Sequence, residues 1–266
     1  MRNKRNCGYT IVTANIEKMR TVICIILIFW TGILKGQYPF EKYPAIKYKA
    51  YNDWKINDRS EEPDKDVQNT IVLPRFFDNS DSLTIKLTSF ADHFWDNSTF
   101  QIYRNKIEIS KTIENMAFNP AGLDTVRVTD FNGDGLKDIK IVVAYMGNGT
   151  ASLNAKVYYL FQRINQTFNI ISFDDKMGPN QKERDFDGDG NYEIMTMNLL
   201  GYENHSYWLF NLFDYNGNEL VNVNNKDNYP IMIQFLYREN FEITNKISRE
   251  KMKDFKLNLP DDYERK

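Results

Sequence analysis

Two stretches of the sequence, DFNGDGLKDIKIVV at 130–143 and DFDGDGNYEIMTMN at 185–198, place acidic or amide side chains at every second position around glycines and then enter an apolar run. The first offers Asp130, Asn132, Asp134, the carbonyl of Leu136 and Asp138. The second offers Asp185, Asp187, Asp189, the carbonyl of Asn191 and Glu193. Alternate side chains of a tight loop converge on one point, and Gly135 and Gly190 permit the bend this requires. A donor set made only of oxygens suits Ca²⁺, which takes about 6–8 of them. Softer metals would want His or Cys, and neither loop contains one. Four carboxylates in the second loop against three in the first predict the second as the better site. An EF-hand would need Glu at the twelfth position and a helix after it. Here the twelfth residues are Ile141 and Thr196, and each loop leads into a segment that reads as a strand. The competing reading is a pair of solvated Asp/Gly turns, and two copies in matching β context count against it.

The elements that must hold these loops are strands. Tyr, Phe, Ile, Val and Thr are plentiful, which favours sheet over helix. From Thr70, TIVLPRFF, SLTIKLTSF and TFQIYRNKIEI alternate or run apolar, the last reading as a hairpin with its turn at Arg104-Asn105. After each acidic loop comes a strand, then an aromatic strand (VYYLFQRI from Val157, SYWLFNLF from Ser206), then a polar turn and a return strand. Aligning Tyr158-Tyr159-Leu160-Phe161 with Tyr207-Trp208-Leu209-Phe210 puts a six-residue insertion in the first unit, near MGNGTASLN. The units span about residues 124–172 and 179–225 of a single β domain, 70–266. An internal repeat of this type points to stacked or radially arranged β units. The expected class is all-β: antiparallel hairpin repeats, β-propeller-like or a partly open β-sandwich, with short helices at most. YPIMIQFLYRENFEITNKI reads as two more strands and SREKMKDFKLN as a short, solvated helix.

TDFNGDGLKDIKIVV and RDFDGDGNYEIMTM resemble the FG-GAP/VCBS-type repeats of β-propeller proteins over about residues 124–225. That resemblance implies Ca²⁺ held by the acidic loop between strands of a blade. The sequence departs from the pattern at Asn132 and Glu193, where the repeat has Asp. The long aromatic hairpins are also similar, more weakly, to periplasmic lysozyme-inhibitor and immunity proteins.

The N-terminal part reads as a leader. VICIILIFW follows Lys18 and Arg20 and precedes TGILKGQ, the pattern of a signal peptide. Cleavage is expected after Gly36, and Met19 is a possible true start. The protein would then be exported, to the periplasm or the cell surface, with no stable membrane insertion after cleavage. Of 34 basic and 36 acidic residues, six and one lie in 1–36, so 28 and 35 remain, a formal net charge of −7. That balance argues against a nucleic-acid partner. Both cysteines, Cys7 and Cys24, also lie in the leader, so core packing and metal must hold the mature chain. Residues 37–69 read as an irregular arm.

No nucleophile elbow, zinc-protease helix, phosphate loop or dinucleotide fingerprint occurs. The two histidines, His93 and His205, each sit beside aromatics and read as packed or rim residues. A non-enzyme is expected: a calcium-binding module for a protein or glycan partner, with MGNGTASLN and GYENHS as the candidate contact loops. The alternatives are an inhibitor or immunity protein against a cell-wall hydrolase and a glycan-active enzyme.

Overall fold

The computed structural model describes residues 43–56, 66–77, 79–90, 98–115, 118–145, 147–176, 182–237 and 242–266. The expected leader, His93 and most of the polar loop after Ile56 lie outside the described residues. The arm is less irregular than its composition suggests: it supplies two short paired strands, β1 (Lys49–Tyr51) and β2 (Lys55–Ile56). Strict alternation then builds β3 (Val67–Leu73) and β4 (Leu83–Ser89), with Val67, Asn69, Ile71, Leu73, Leu83, Ile85 and Leu87 turned inward. β5 (Ser98–Arg104) and β6 (Ile107–Glu114) complete an antiparallel sheet of order β2-β3-β4-β5-β6. The β5–β6 turn is Asn105-Lys106, one residue later than expected. Both residues have positive φ, 51° and 90°, as the tight two-residue hairpin demands.

The chain continues through β7 (Phe118–Leu123), β8 (Val126–Thr129), β9 (Asp138–Tyr145), β10 (Asn154–Gln162) and β11 (Phe168–Lys176), then β12 (Ile194–Tyr202), β13 (His205–Asn216), β14 (Glu219–Asn222) and β15 (Ile231–Gln234). A single helical turn, α1 (Arg249–Met252), is capped by Ser248, whose side chain accepts the Lys251 N–H. The last strand is β16 (Asp261–Arg265). A middle sheet runs β1-β8-β9-β10-β11-β16, with β7 also on β9, and a third sheet runs β12-β13-β14, with β15 also on β13. Of the two strands expected in YPIMIQFLYRENFEITNKI, only Ile231–Gln234 forms among the described residues, and β16 is a strand that the sequence pattern does not mark.

The sheets stack as layers. Ile139, Ile141, Val143, Tyr158 and Leu160 of the middle sheet pack against Ile71, Leu83, Ile85, Phe100 and Ile102 of the first. From the same strands Val142, Val157, Tyr159 and Phe161 turn the other way, towards Ile194, Phe213 and Leu220 of the third. This is why β9 is buried at every residue and reads as an unbroken apolar run from Ile141 to Tyr145. Rings carry much of the contact: Phe100 stacks on Tyr158 with centroids 4.5 Å apart. Each such buried side chain contributes about 1.5–3 kcal/mol. The outer side of the third sheet is covered by Met252, Phe255 and Leu257 over Tyr207 and Leu209. The class is all-β and antiparallel throughout the described strand pairs, and none of those pairs joins the first sheet to the third. Among the described residues no helix is long and apolar enough to cross a membrane.

The register corrects the repeat alignment. Ile139 faces Leu160, and Ile194, its counterpart one residue past the second loop, faces Phe213. Leu160 therefore matches Phe213, and Phe161 matches Asp214, four residues beyond the match made on the aromatic pattern. On this register the first unit carries a two-residue excess in place of the expected six. GYENHS is not a projecting loop: Glu203 and Asn204, both at positive φ, make a two-residue hairpin turn between β12 and β13. In the other expected contact loop, Gly149–Leu153 forms a short 3₁₀ turn.

Candidate metal centre

Each acidic loop leaves one strand position and returns to its neighbour. Thr129 pairs with Asp138 across the mouth of the first loop, and Arg184 pairs with Glu193 across the second. The N-terminal segment borders both, with Lys49 opposite Val128 and Ala45 opposite Arg184.

Inside, the two loops share one hydrogen-bond skeleton. The carboxylate of Asp130 accepts the N–H of Gly135 at 2.8 Å, and that of Asp185 accepts the N–H of Gly190 at 3.2 Å. The carboxylate of Asp134 accepts the N–H of Leu136 and that of Asp189 accepts the N–H of Asn191, both at 2.8 Å. The last acid of each loop is fully buried and reaches back to the second residue: Asp138 accepts the N–H of Phe131 at 3.0 Å, Glu193 that of Phe186 at 2.7 Å. Phe131 and Phe186 point into the body, against Tyr159 and Tyr43 respectively, and anchor the loops by their rings. The loops also touch one another. The N–H of Tyr192 donates to the Phe131 carbonyl at 3.0 Å, and a Cβ on Gly133 would lie 3.0 Å from the Gly190 carbonyl oxygen.

The loops differ in what faces their acids. In the first, Asp138 spends its second oxygen on the N–H of Gln162 at 2.9 Å. Asn132 donates to Asp134 at 3.1 Å, and both side chains lie towards solvent. Asp130, Asp134 and Asp138 make no ion pair among the described residues. The Lys137 ammonium turns away to the Phe76 carbonyl, at 2.7 Å. In the second loop, oxygens of Asp185, Asp187 and Glu193 lie within 4.8 Å of one another, close enough to share a metal ion. Asp189 stands outside this group. The ammonium of Lys226 reaches the same acids, 2.7 Å from Asp187 and 3.0 Å from Glu193, and also Asp214 at 2.8 Å. The side-chain oxygen of Asn191 and the second oxygen of Asp214 are buried without hydrogen-bond partners among the described residues.

Charge follows from this. Burial pushes the Asp138 carboxyl up to about 7 against the pull of the Phe131 and Gln162 N–H groups, with Asp134 and Asp130 adding to the rise. Burial likewise raises Glu193, partly offset by the Phe186 N–H and Lys226. Asp187 is lowered, chiefly by its hydrogen bond to Lys226. Burial works against the Lys226 charge, yet hydrogen bonds to Asp187, Asp214 and Glu193 outweigh it and hold the ammonium well above its ordinary value. Each loop thus buries its ninth carboxylate, and only the second sets a cation, Lys226, beside it among the described residues. An all-oxygen set of this kind fits a hard divalent cation; of the residues named from the sequence, Asp185, Asp187 and Glu193 are the three acids that, among the described residues, already stand close enough to share one.

Sequence reasoning misses Lys226 and Asp214. Lys226 lies in VNVNNKDNY, 33 residues from Glu193, where neither period nor motif marks it. Asp214 reads in the sequence as the start of a hairpin turn; the turn itself is Gly217-Asn218. His205 sits at the rim of the third sheet, 3.4 Å from Gln234, and faces no acid cluster among the described residues. Beside the first loop opens a groove of about 740 Å³ lined by Lys49, Tyr51, Arg75, Phe76, Leu136 and Lys137.

No protein-family model, characterised protein or solved structure matches this chain.

Proposed function

We propose that this is an exported Ca²⁺-binding β-repeat protein that acts as a non-catalytic binding or scaffold module. The observation that carries the reading is the shared loop skeleton: two separate loops hold their first, fifth and ninth acids by the same backbone N–H groups. A solvated turn has no need to bury a carboxylate at its ninth position, because desolvating a charge is costly even where N–H groups meet it, as they do at Asp138 and Glu193. A divalent ion bound by Asp130, Asn132, Asp134, the Leu136 carbonyl and Asp138 would offset that cost. The groove beside the first loop supports a binding role. It sets three cationic side chains, Lys49, Arg75 and Lys137, over an aromatic floor in a chain whose formal charge is negative. Arg75 holds a positive φ of 53°, a conformation that costs a non-glycine residue about 1–2 kcal/mol.

The test is thermal unfolding of the purified protein in Ca²⁺ and in excess chelator, beside Asp134→Ala. A ligand bound only by the folded state must raise the midpoint, by about 2.7 kcal/mol in stability at a hundredfold excess over Kd. The expected result is a calcium-dependent rise that Asp134→Ala reduces. Equal midpoints in the two conditions, with no heat of binding, would remove the metal reading.

A further inference from the structure

We infer that Lys226 is a tethered cation that occupies the second acidic loop, so that only the first loop takes Ca²⁺ at ordinary concentrations. The inference rests on the metal reading above and concerns which loop carries it.

Three observations converge. The ammonium lies within 3.0 Å of Asp187 and Glu193, two of the three acids whose oxygens cluster tightly enough for a shared ion. A metal at that point and the ammonium would repel each other, so an incoming ion has to displace three charge-assisted bonds.

The lysine is also presented by a built turn. Asn224, itself buried, accepts the Leu212 N–H at 2.8 Å and donates to Asn211 at 2.8 Å, which pins the turn to β13. The Tyr229 N–H closes the turn on the Asn224 carbonyl at 2.9 Å, and the Tyr43 hydroxyl holds Asp227 at 2.5 Å. The loss of side-chain freedom that weakens most lysine ion pairs is thereby reduced here.

Finally, the second unit has an acid, Asp214, where the register of the first has buried Phe161. Asp214 binds Lys226 and belongs to no loop position, so the second unit carries one residue whose evident work is to hold the ammonium. The first unit has neither partner among the described residues.

Counting bound ions tests this. Calorimetric titration of the chelator-treated protein with CaCl₂ should give one tight ion for the native chain and none for Asp134→Ala. Lys226→Met should take a second ion, and Asp134→Ala/Lys226→Met should take one. Because Lys226→Met leaves Glu193 without its cation and could unfold in chelator, Asp214→Asn serves beside it. That variant loosens the ammonium and should tighten the second loop at least tenfold. Two ions of similar affinity on the native chain overturn the inference and leave the metal reading standing. So does a single native ion that survives Asp134→Ala, or the absence of a second ion in both Lys226→Met and Asp214→Asn. No ion on the native chain overturns the metal reading itself, and with it the inference.

Discussion

The loop at 130–138 and the loop at 185–193 have the same backbone and opposite ways of meeting their charge. One keeps its acids facing solvent and its ninth carboxylate on two N–H groups. The other turns Asp187 and Glu193 towards a lysine delivered from a distant turn. The second loop has more carboxylates, and charge count alone ranks it first as a metal site. Ligand number is nevertheless a poor guide when the cation can be supplied by the chain: a site is defined by what its acids lack, and the second loop lacks less.

The largest effect that would break the comparison is at the ninth position. Asp138→Ala strands the buried N–H groups of Phe131 and Gln162, at about 1–3 kcal/mol each, so a loss of about 4 kcal/mol is expected in urea unfolding. Glu193→Ala strands one N–H, of Phe186, and leaves Lys226 with Asp187 and Asp214, so its loss should be about half as large. Equal losses would mean the two carboxylates do the same work and the loops are not distinct.

A smaller effect separates the loops from the body that joins them. Asp175 of β11 is buried and accepts the N–H of Met197, on β12, at 2.7 Å, fastening the middle sheet to the third. Burial raises its pKa to about 7, opposed by the Met197 and Lys176 N–H groups and by Lys140, while Asp261 adds to the rise. The unfolded value is about 3.9, so between about pH 4 and pH 7 the folded state holds the extra proton. Stability from this group is complete below about pH 4 and is lost as pH rises through 7. Asp175→Asn keeps the accepting oxygen and removes the titration. In chelator it should match the native chain near pH 4 and exceed it by at most about 4 kcal/mol at pH 8. Parallel curves for the two proteins would show that Asp175 has no raised pKa, and that any pH dependence belongs to the loops.

The smallest effect compares equivalent glycines. Gly133 and Gly188 hold the fourth position with φ of 73° and 83°. Alanine at either should cost about 1 kcal/mol from its backbone alone. At Gly133 the new Cβ also meets the Gly190 carbonyl at 3.0 Å, whereas at Gly188 nothing lies within 4 Å. Gly133→Ala should therefore lower the unfolding midpoint more than Gly188→Ala. The reverse order would show that the loops do not rest on each other.

Much of this is legible from residue order. Alternation in β3, β4 and β5 marks strands because one face of each is buried, and the oxygen spacing of the loops is local. The unit register is not legible. Sliding Tyr-Trp-Leu-Phe of β13 by four residues keeps every side chain on its own face, so the aromatic pattern cannot tell the two alignments apart. The second loop's cation is hidden for another reason. Lys226 meets Glu193 only because β13 and β14 fold back together, and Lys140 of β9 meets Glu183, just ahead of the second loop, in the same non-local way. Ion pairs set by tertiary return leave no period in the sequence.

The two edges of the middle sheet come from far apart in the chain: β1 from residues 49–51, β16 from 261–265, with Lys266 exchanging backbone bonds with Ile170 beyond the strand. Lys156, buried in β10, has Asp262 of that late strand among its carboxylate partners. During synthesis the sheet must then wait. At about 5–20 residues per second, roughly 5–20 s pass between the emergence of β11 and of the strand that covers it. Throughout that interval a charged lysine and an open sheet edge stand unfinished. A chain caught in that interval presents the bare edge of β11, which can pair with the wrong strand.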